Sequence, residues 1–302
     1  MSLRHTIANA GGDLIAGGDF FRESALFDFG PGALPAHIDG RLAQSALYAQ
    51  YSALLAHGER LIGGLRGEND GGFGQVLVPS IGTVISAGAA RIAANYGGAF
   101  RVPTLVDLYY PGFSNPSLRP ERTRNLDVTL AFPAILGGIS AGFFDRRGSN
   151  LIVLDANFVP HNAQRATVRG AQLTAQTRPF RGLVADASVT DLFRATDDVT
   201  GARLPQRPVT RATLGLTRPF GATPIAFGLR ALVVGSSYDN GTVLPITGIL
   251  DAYTDLDAYV RYRIFTDAIL TLRALNAGNE RAAPVYGYPM PGRRVELELS
   301  TR

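Results

Sequence analysis

The 302 residues are 46% hydrophobic, which argues against disorder, yet only 18% are charged, a low share for a water-facing surface. All 29 basic residues are Arg, the net charge is +4, and no basic run interleaved with aromatics occurs, so a nucleic-acid partner is not expected. The absence of Cys excludes disulfides, thiolate nucleophiles and Cys-ligated zinc.

Residues 1–30 lack the unbroken apolar core and small-residue cleavage site of a secretory leader. No stretch approaches the roughly 18 apolar residues of a membrane-crossing helix, so a membrane location would have to be reached with strands. Period-2 alternation supports that possibility along the chain. In ALYAQYSALL, Leu47, Ala49, Tyr51 and Ala53 share one face and Tyr48, Gln50 and Ser52 the other. In TRATLGLTR, Ala212, Leu214 and Leu216 oppose Arg211, Thr213 and Thr217. LDAYVRYRI sets Leu256, Ala258, Val260, Tyr262 and Ile264 against Asp257, Tyr259, Arg261 and Arg263, and RVELELS sets Val295, Leu297 and Leu299 against Glu296, Glu298 and Ser300. A face charged at every second position cannot lie in a dry sandwich core, so each strand has one wet side.

The connections alternate in length. Tight turns are expected at His57-Gly58 and Gly88-Ala89, around Pro133-Ala134, at Pro179 to Gly182 and Pro219 to Ala222, and near Phe265-Thr266. Longer links are expected over 68–79, 101–121, 148–164, 195–208, 236–248 and 277–292. Short turns at one end and long links at the other, joining about 14 strands of roughly 8 to 14 residues, describe an antiparallel up-and-down transmembrane β-barrel. A soluble sandwich would have shorter strands and no such asymmetry.

Candidate chemical motifs are sparse. His5, His37, His57 and His161 are scattered without metal-ligand spacing. No nucleophile elbow, Walker loop or dinucleotide fingerprint is present, so no enzyme, metal or cofactor is expected. In GENDGGFG, Glu68, Asn69 and Asp70 offer oxygen ligands for Ca²⁺, but three polar residues before Gly-Gly read first as a turn. Asp197-Asp198 reads as a loop tip. Tyr109, Tyr110 and Phe113 could stack on a flat ligand or anchor at lipid headgroups, and the sequence leaves both open.

Residues 101–124, RVPTLVDLYYPGFSNPSLRPERTR, interrupt two alternating segments with Pro103, Pro111, Pro116 and Pro120, each lacking a backbone donor and restricting its predecessor. The core of this stretch, FRVPTLVDLYYPGFSNPSLRPE, closely resembles the segment that TonB-dependent outer-membrane receptors carry in the second half of their barrel. LYAQYSALLAHGERLIGGLRGEN, RATVRGAQLTAQTRP, RLPQRPVTRATLGL and LRALNAGNERAAPVYGYPMPGRRVELEL are similar to further strands and turns of that family. The resemblance covers nearly all of residues 1–302 and implies the C-terminal portion of a barrel of about 22 strands, with the plug domain absent from these residues.

It further implies an outer-membrane location among lipid, a plug and the TonB energy-transducing complex as partners in the parent protein, and uptake of a scarce small nutrient such as siderophore-iron or cobalamin. A smaller stand-alone pore or structural barrel is the alternative. Tyr109, Tyr110, Arg119 and Tyr238 are expected at ligand by position, and Arg101, Glu121, Arg122 and Arg124 are expected to turn toward the lumen and the plug.

Overall fold

The computed structural model describes every residue except Ala10, 29–36, 135–136, Ala156, 241–246 and Arg302. In chain order the strands are β1 (Ser2–Asn9), β2 (Gly12–Asp28), β3 (His37–Leu54), β4 (Arg60–Asp70), β5 (Gly74–Ala87), β6 (Ala90–Arg101), β7 (Glu121–Ala134), β8 (Gly137–Leu154) and β9 (Pro160–Thr177). They continue as β10 (Val184–Asp197), β11 (Thr210–Arg218), β12 (Ile225–Val234), β13 (Ser237–Asn240), β14 (Thr247–Leu250), β15 (Tyr253–Phe265), β16 (Ala268–Leu275) and β17 (Arg294–Thr301). One α-helix, α1 (Leu105–Tyr109), lies between β6 and β7. The main sheet is 15-stranded and follows chain order, passing from β12 directly to β15, while β13 and β14 pair separately. The chain divides into two compact units, residues 1–129, 144–168 and 196–202 in the first and 130–143, 169–195 and 203–302 in the second.

In the first unit the register aligns Leu3, Gly18, Leu47, Gly67 and Leu77 in one row across β1 to β5. The three leucines are 70%, 74% and 65% exposed. The neighbouring row on the opposite face reads Arg4, Gly17, Tyr48, Arg66 and Val78. There the Arg66 guanidinium lies 5.5 Å from the Tyr48 ring centroid and pairs with Asp19 at 2.8 Å and with Glu68. One face is thus apolar yet uncovered, and the other holds the charges. This is the reverse of a water-soluble sheet, in which the apolar face is the hidden one.

The second unit repeats the pattern. Val260, Leu272 and Leu297 form a row across β15, β16 and β17, all exposed. The other face carries the rows Asp186, Gly215, Arg230 and Asp257, and Gly228, Tyr259, Arg273 and Glu296. The Tyr259 ring packs against Gly228, where an added Cβ would stand 2.2 Å from the Tyr259 Cε1 atom. Glycine is required there by the ring and not by the backbone angle.

Several strands run longer than the sequence suggests: β2 has 17 residues, and β3, β8 and β9 have 18 each. The links expected over 68–79 and 148–164 therefore shrink to 71–73 and 155–159. The reason is that a ladder needs backbone donors and acceptors, not apolar side chains, so Glu68, Asn69 and Asp70 pair with Val76, Gln75 and Gly74. Pro133 and Ala134 end β7, and residues 135–136, which follow them, lie outside the described residues, as does the tip of the 236–248 link. The remaining tight turns stand where the sequence places them, at 57–58, 88–89, 179–182 and 219–222, and the last lies at 266–267, directly after Phe265.

Replacing Gly228 by Ala should displace the Tyr259 ring and destabilise the sheet by about 1–3 kcal/mol. Denaturant unfolding in micelles, followed by near-ultraviolet circular dichroism, reads this directly, and an unchanged midpoint would show that the ring contact is not needed.

Candidate functional site

The long link between β6 and β7 is the best-built irregular segment of the first unit. Thr104 caps α1: its hydroxyl accepts from the Asp107 amide at 3.2 Å, and the Asp107 carboxylate accepts from the Thr104 amide at 2.9 Å. This reciprocal cap starts a helix only five residues long, and Pro111 and Pro116 prevent its continuation. Leu105, Leu108 and Leu118 are buried, making this link one of the few places where apolar side chains leave the surface.

The helix folds onto the polar face of β3. An added Cβ on Gly40 would meet the Tyr109 ring at 2.8 Å and Leu105 at 3.5 Å, so glycine at this point admits the helix. Leu42, two residues on and on the same side of β3, is buried. The link is then fixed from β8 and β9. The Asn162 side chain accepts from the Arg119 amide at 2.8 Å and donates to the carbonyls of Arg119 and Asn150, both at 2.7 Å. Asn115 donates to the Pro160 carbonyl at 3.1 Å while accepting from the Ser117 amide at 2.9 Å.

At the foot of the link, Arg101 and Glu121 form a two-point pair, with Nε to Oε2 at 2.7 Å and Nη2 to Oε1 at 3.0 Å. Glu121 also accepts from the Ile152 amide at 2.8 Å, joining three strands through one carboxylate. A two-point guanidinium–carboxylate contact fixes orientation as well as distance.

The sequence-derived residues separate into distinct groups. Tyr109 packs on Gly40 and serves as a strut. Tyr110 faces Phe113, with ring centroids 6.2 Å apart. Arg119 has its backbone clamped by Asn162, and its side chain is exposed with no ion pair among the described residues. Tyr238 lies in the second unit on β13, where it is paired with Ile249 and its carbonyl accepts from the Gln206 amide at 2.7 Å. Arg101 and Glu121 come together, but Arg122 and Arg124 do not join them. Alternation along β7 puts Arg122 and Arg124 on the side of Leu130 and Phe132, both exposed, and Glu121 on the other.

Asn115 and Asn162 escaped the sequence reading because their partners lie 45 and 43 residues away and no local motif marks them. Asn162→Ala removes three hydrogen bonds at once and should loosen residues 111–120 by about 1–3 kcal/mol. Hydrogen exchange of the Arg119 and Ile152 amides separates the effects, since Arg119 should exchange faster and Ile152, held by Glu121, should not change. Equal protection of Arg119 in variant and wild type would refute the clamp.

Residues 2–279 match the family model described as TonB dependent receptor-like, beta-barrel. The vitamin B12 transporter BtuB of Photobacterium profundum is 27% identical over 180 residues, which is 57% of this chain and 28% of that protein. Among solved structures, a mutant of the ferric enterobactin receptor PfeA from Pseudomonas aeruginosa superposes with a TM-score of 0.82 at 15% identity, over 99% of this chain and 52% of that one. The siderophore receptor PirA from Acinetobacter baumannii gives a TM-score of 0.82 at 12% identity, over 99% and 53%. At such identities the likeness to the solved structures is one of fold. The chain spans less than a third of the BtuB relative and about half of each of the two receptors.

Proposed function

Because the chain belongs to the TonB-dependent receptor β-barrel family, we propose that it forms part of an outer-membrane receptor that takes up a scarce nutrient, a ferric siderophore or cobalamin, with energy passed on by the TonB complex. The observation that carries this reading is the pairing of an uncovered apolar face with a charged face in both units. The rows Leu3–Leu47–Leu77 and Val260–Leu272–Leu297 suit hydrocarbon, and the rows through Arg66 and Arg230 suit a wet lumen.

Within this reading the 101–124 link presents the ligand contact. Tyr110 and Phe113 offer a tilted pair of rings for a flat or ring-bearing ligand, and Arg119 offers a guanidinium on a clamped backbone for an anionic one. Tyr238 on its hairpin is a second contact. Arg101 and Glu121 face the side on which the receptor's plug would sit, and Arg122 and Arg124, on the apolar side at the strand end, suit lipid headgroups. The names of the relatives support the nutrient class, since they are a vitamin B12 transporter and siderophore receptors.

Disrupting the gene in the source bacterium should abolish high-affinity uptake of radiolabelled cobalamin or of a ferric siderophore under limitation. Undiminished uptake of both would sink the proposal. Arg119→Ala in the receptor should weaken nutrient binding about tenfold or more, as loss of one charge-assisted contact does, at unchanged protein level in the membrane.

The apolar face has its own test. Leu272→Arg would cost about 2–4 kcal/mol if the position sits at mid-bilayer and almost nothing if it faces water. Equilibrium folding into liposomes measures the difference, and a cost near zero would overturn the lipid assignment of that row.

A further inference from the structure

The end of β4 carries a buried carboxylate that the receptor reading leaves unexplained. Asp70 is 1% exposed, and neither of its carboxylate oxygens receives a hydrogen bond. Gln44 lies directly across on β3, close enough to interact, but without normal hydrogen-bond geometry. Alternation brings Glu68 to the same side of β4. Glu68 is held by Arg66 through one oxygen, and its side chain is 21% exposed.

The charges in this corner do not balance. Among the described residues, Arg66 is the one guanidinium in ion-pair contact with Asp19, Glu68 or Asp70, and it reaches Asp19 and Glu68 but not Asp70. An isolated buried carboxylate is costly unless a proton or a cation accompanies it. The link beyond it cannot supply a cationic side chain, since residues 71–73 are Gly, Gly and Phe.

We propose that Asp70, Glu68 and the Gln44 side-chain oxygen form a site for a hard divalent cation, with Ca²⁺ the best fit. The donors are all oxygens, they combine carboxylate with amide, and water completes the shell, a mixture that suits the loose coordination of Ca²⁺ better than the strict octahedron of Mg²⁺. Among the described residues no three His, Cys, Asp or Glu side chains converge on one point, so the site rests on two carboxylates and binds at the weaker end of the Ca²⁺ range. Its place on the fold gives binding a consequence. Gln44 shares the polar side of β3 with the buried Leu42 and with Gly40, on which α1 packs, so the cation would brace the strand on which the 102–120 link rests.

The test uses the whole chain in detergent micelles, stripped with EDTA and titrated with CaCl₂ alone. Calorimetry should show one saturable site, and the thermal midpoint should rise with Ca²⁺ as native-state binding requires. Asp70→Asn keeps the shape, removes the charge and should lower Ca²⁺ affinity by about tenfold or more. Gln44→Glu should raise it. A wild-type chain with no saturable heat and no midpoint shift would overturn the proposal without any variant. So would an Asp70→Asn chain that responds to Ca²⁺ as the wild type does. If Asp70→Asn is the more stable protein in EDTA while the wild type ignores Ca²⁺, the carboxylate carries a proton and the cation site is refuted.

Discussion

Every other feature of this chain depends on the antiparallel backbone ladder. In hydrocarbon an unpaired amide or carbonyl has no water to turn to, so a chain that crosses a bilayer without long helices must satisfy its backbone between strands. Once the ladder is in place, side chains are free to be apolar on one face and charged on the other. The rows Leu3–Gly18–Leu47–Gly67–Leu77 and Arg4–Gly17–Tyr48–Arg66–Val78 are two readings of the same five strands, offset by one residue. A slip of one residue would exchange them, putting Arg66 and Asp19 among the leucines.

Among the described residues few apolar side chains are buried, and four of them gather where a link is folded back onto a strand. Leu105, Leu108 and Leu118 occupy the 102–120 link, with Leu42 beneath on β3. The link needs this small core because its prolines withhold backbone donors and keep it out of the ladder. The capping box of Thr104 and Asp107, the Asn162 clamp and the Arg101–Glu121 pair replace ladder hydrogen bonds with side-chain ones. The result is a fixed platform that presents Tyr110, Phe113 and Arg119; under the function we propose, such prior fixing would lower the ordering cost of binding a ligand.

The fold was largely legible. Alternation in TRATLGLTR, LDAYVRYRI and RVELELS marks β11, β15 and β17 within a few residues, and most turns fall where Gly, Pro and Asn stand. Strand ends were less so. Glu68, Asn69 and Asp70 look like a turn because they are polar, yet they continue β4, since a polar residue on the wet side of a ladder interrupts nothing. The site was legible only in outline. That the 101–124 stretch is special follows from its prolines, but that Tyr109 is a strut while Tyr110 faces Phe113 depends on Gly40, far away in sequence.

The sequence alone determined the class of the fold, the two-faced character of its strands and the position of the proline-rich link, because each follows from local periodicity and local donor loss. The tertiary structure decided the rest: which of Arg101, Glu121, Arg122 and Arg124 meet, what pins Arg119, and that Asp70 is buried without a hydrogen bond. These depend on register and on contacts between residues about 20 to 45 apart, and a one-dimensional pattern carries no information on which residue a strand will place opposite.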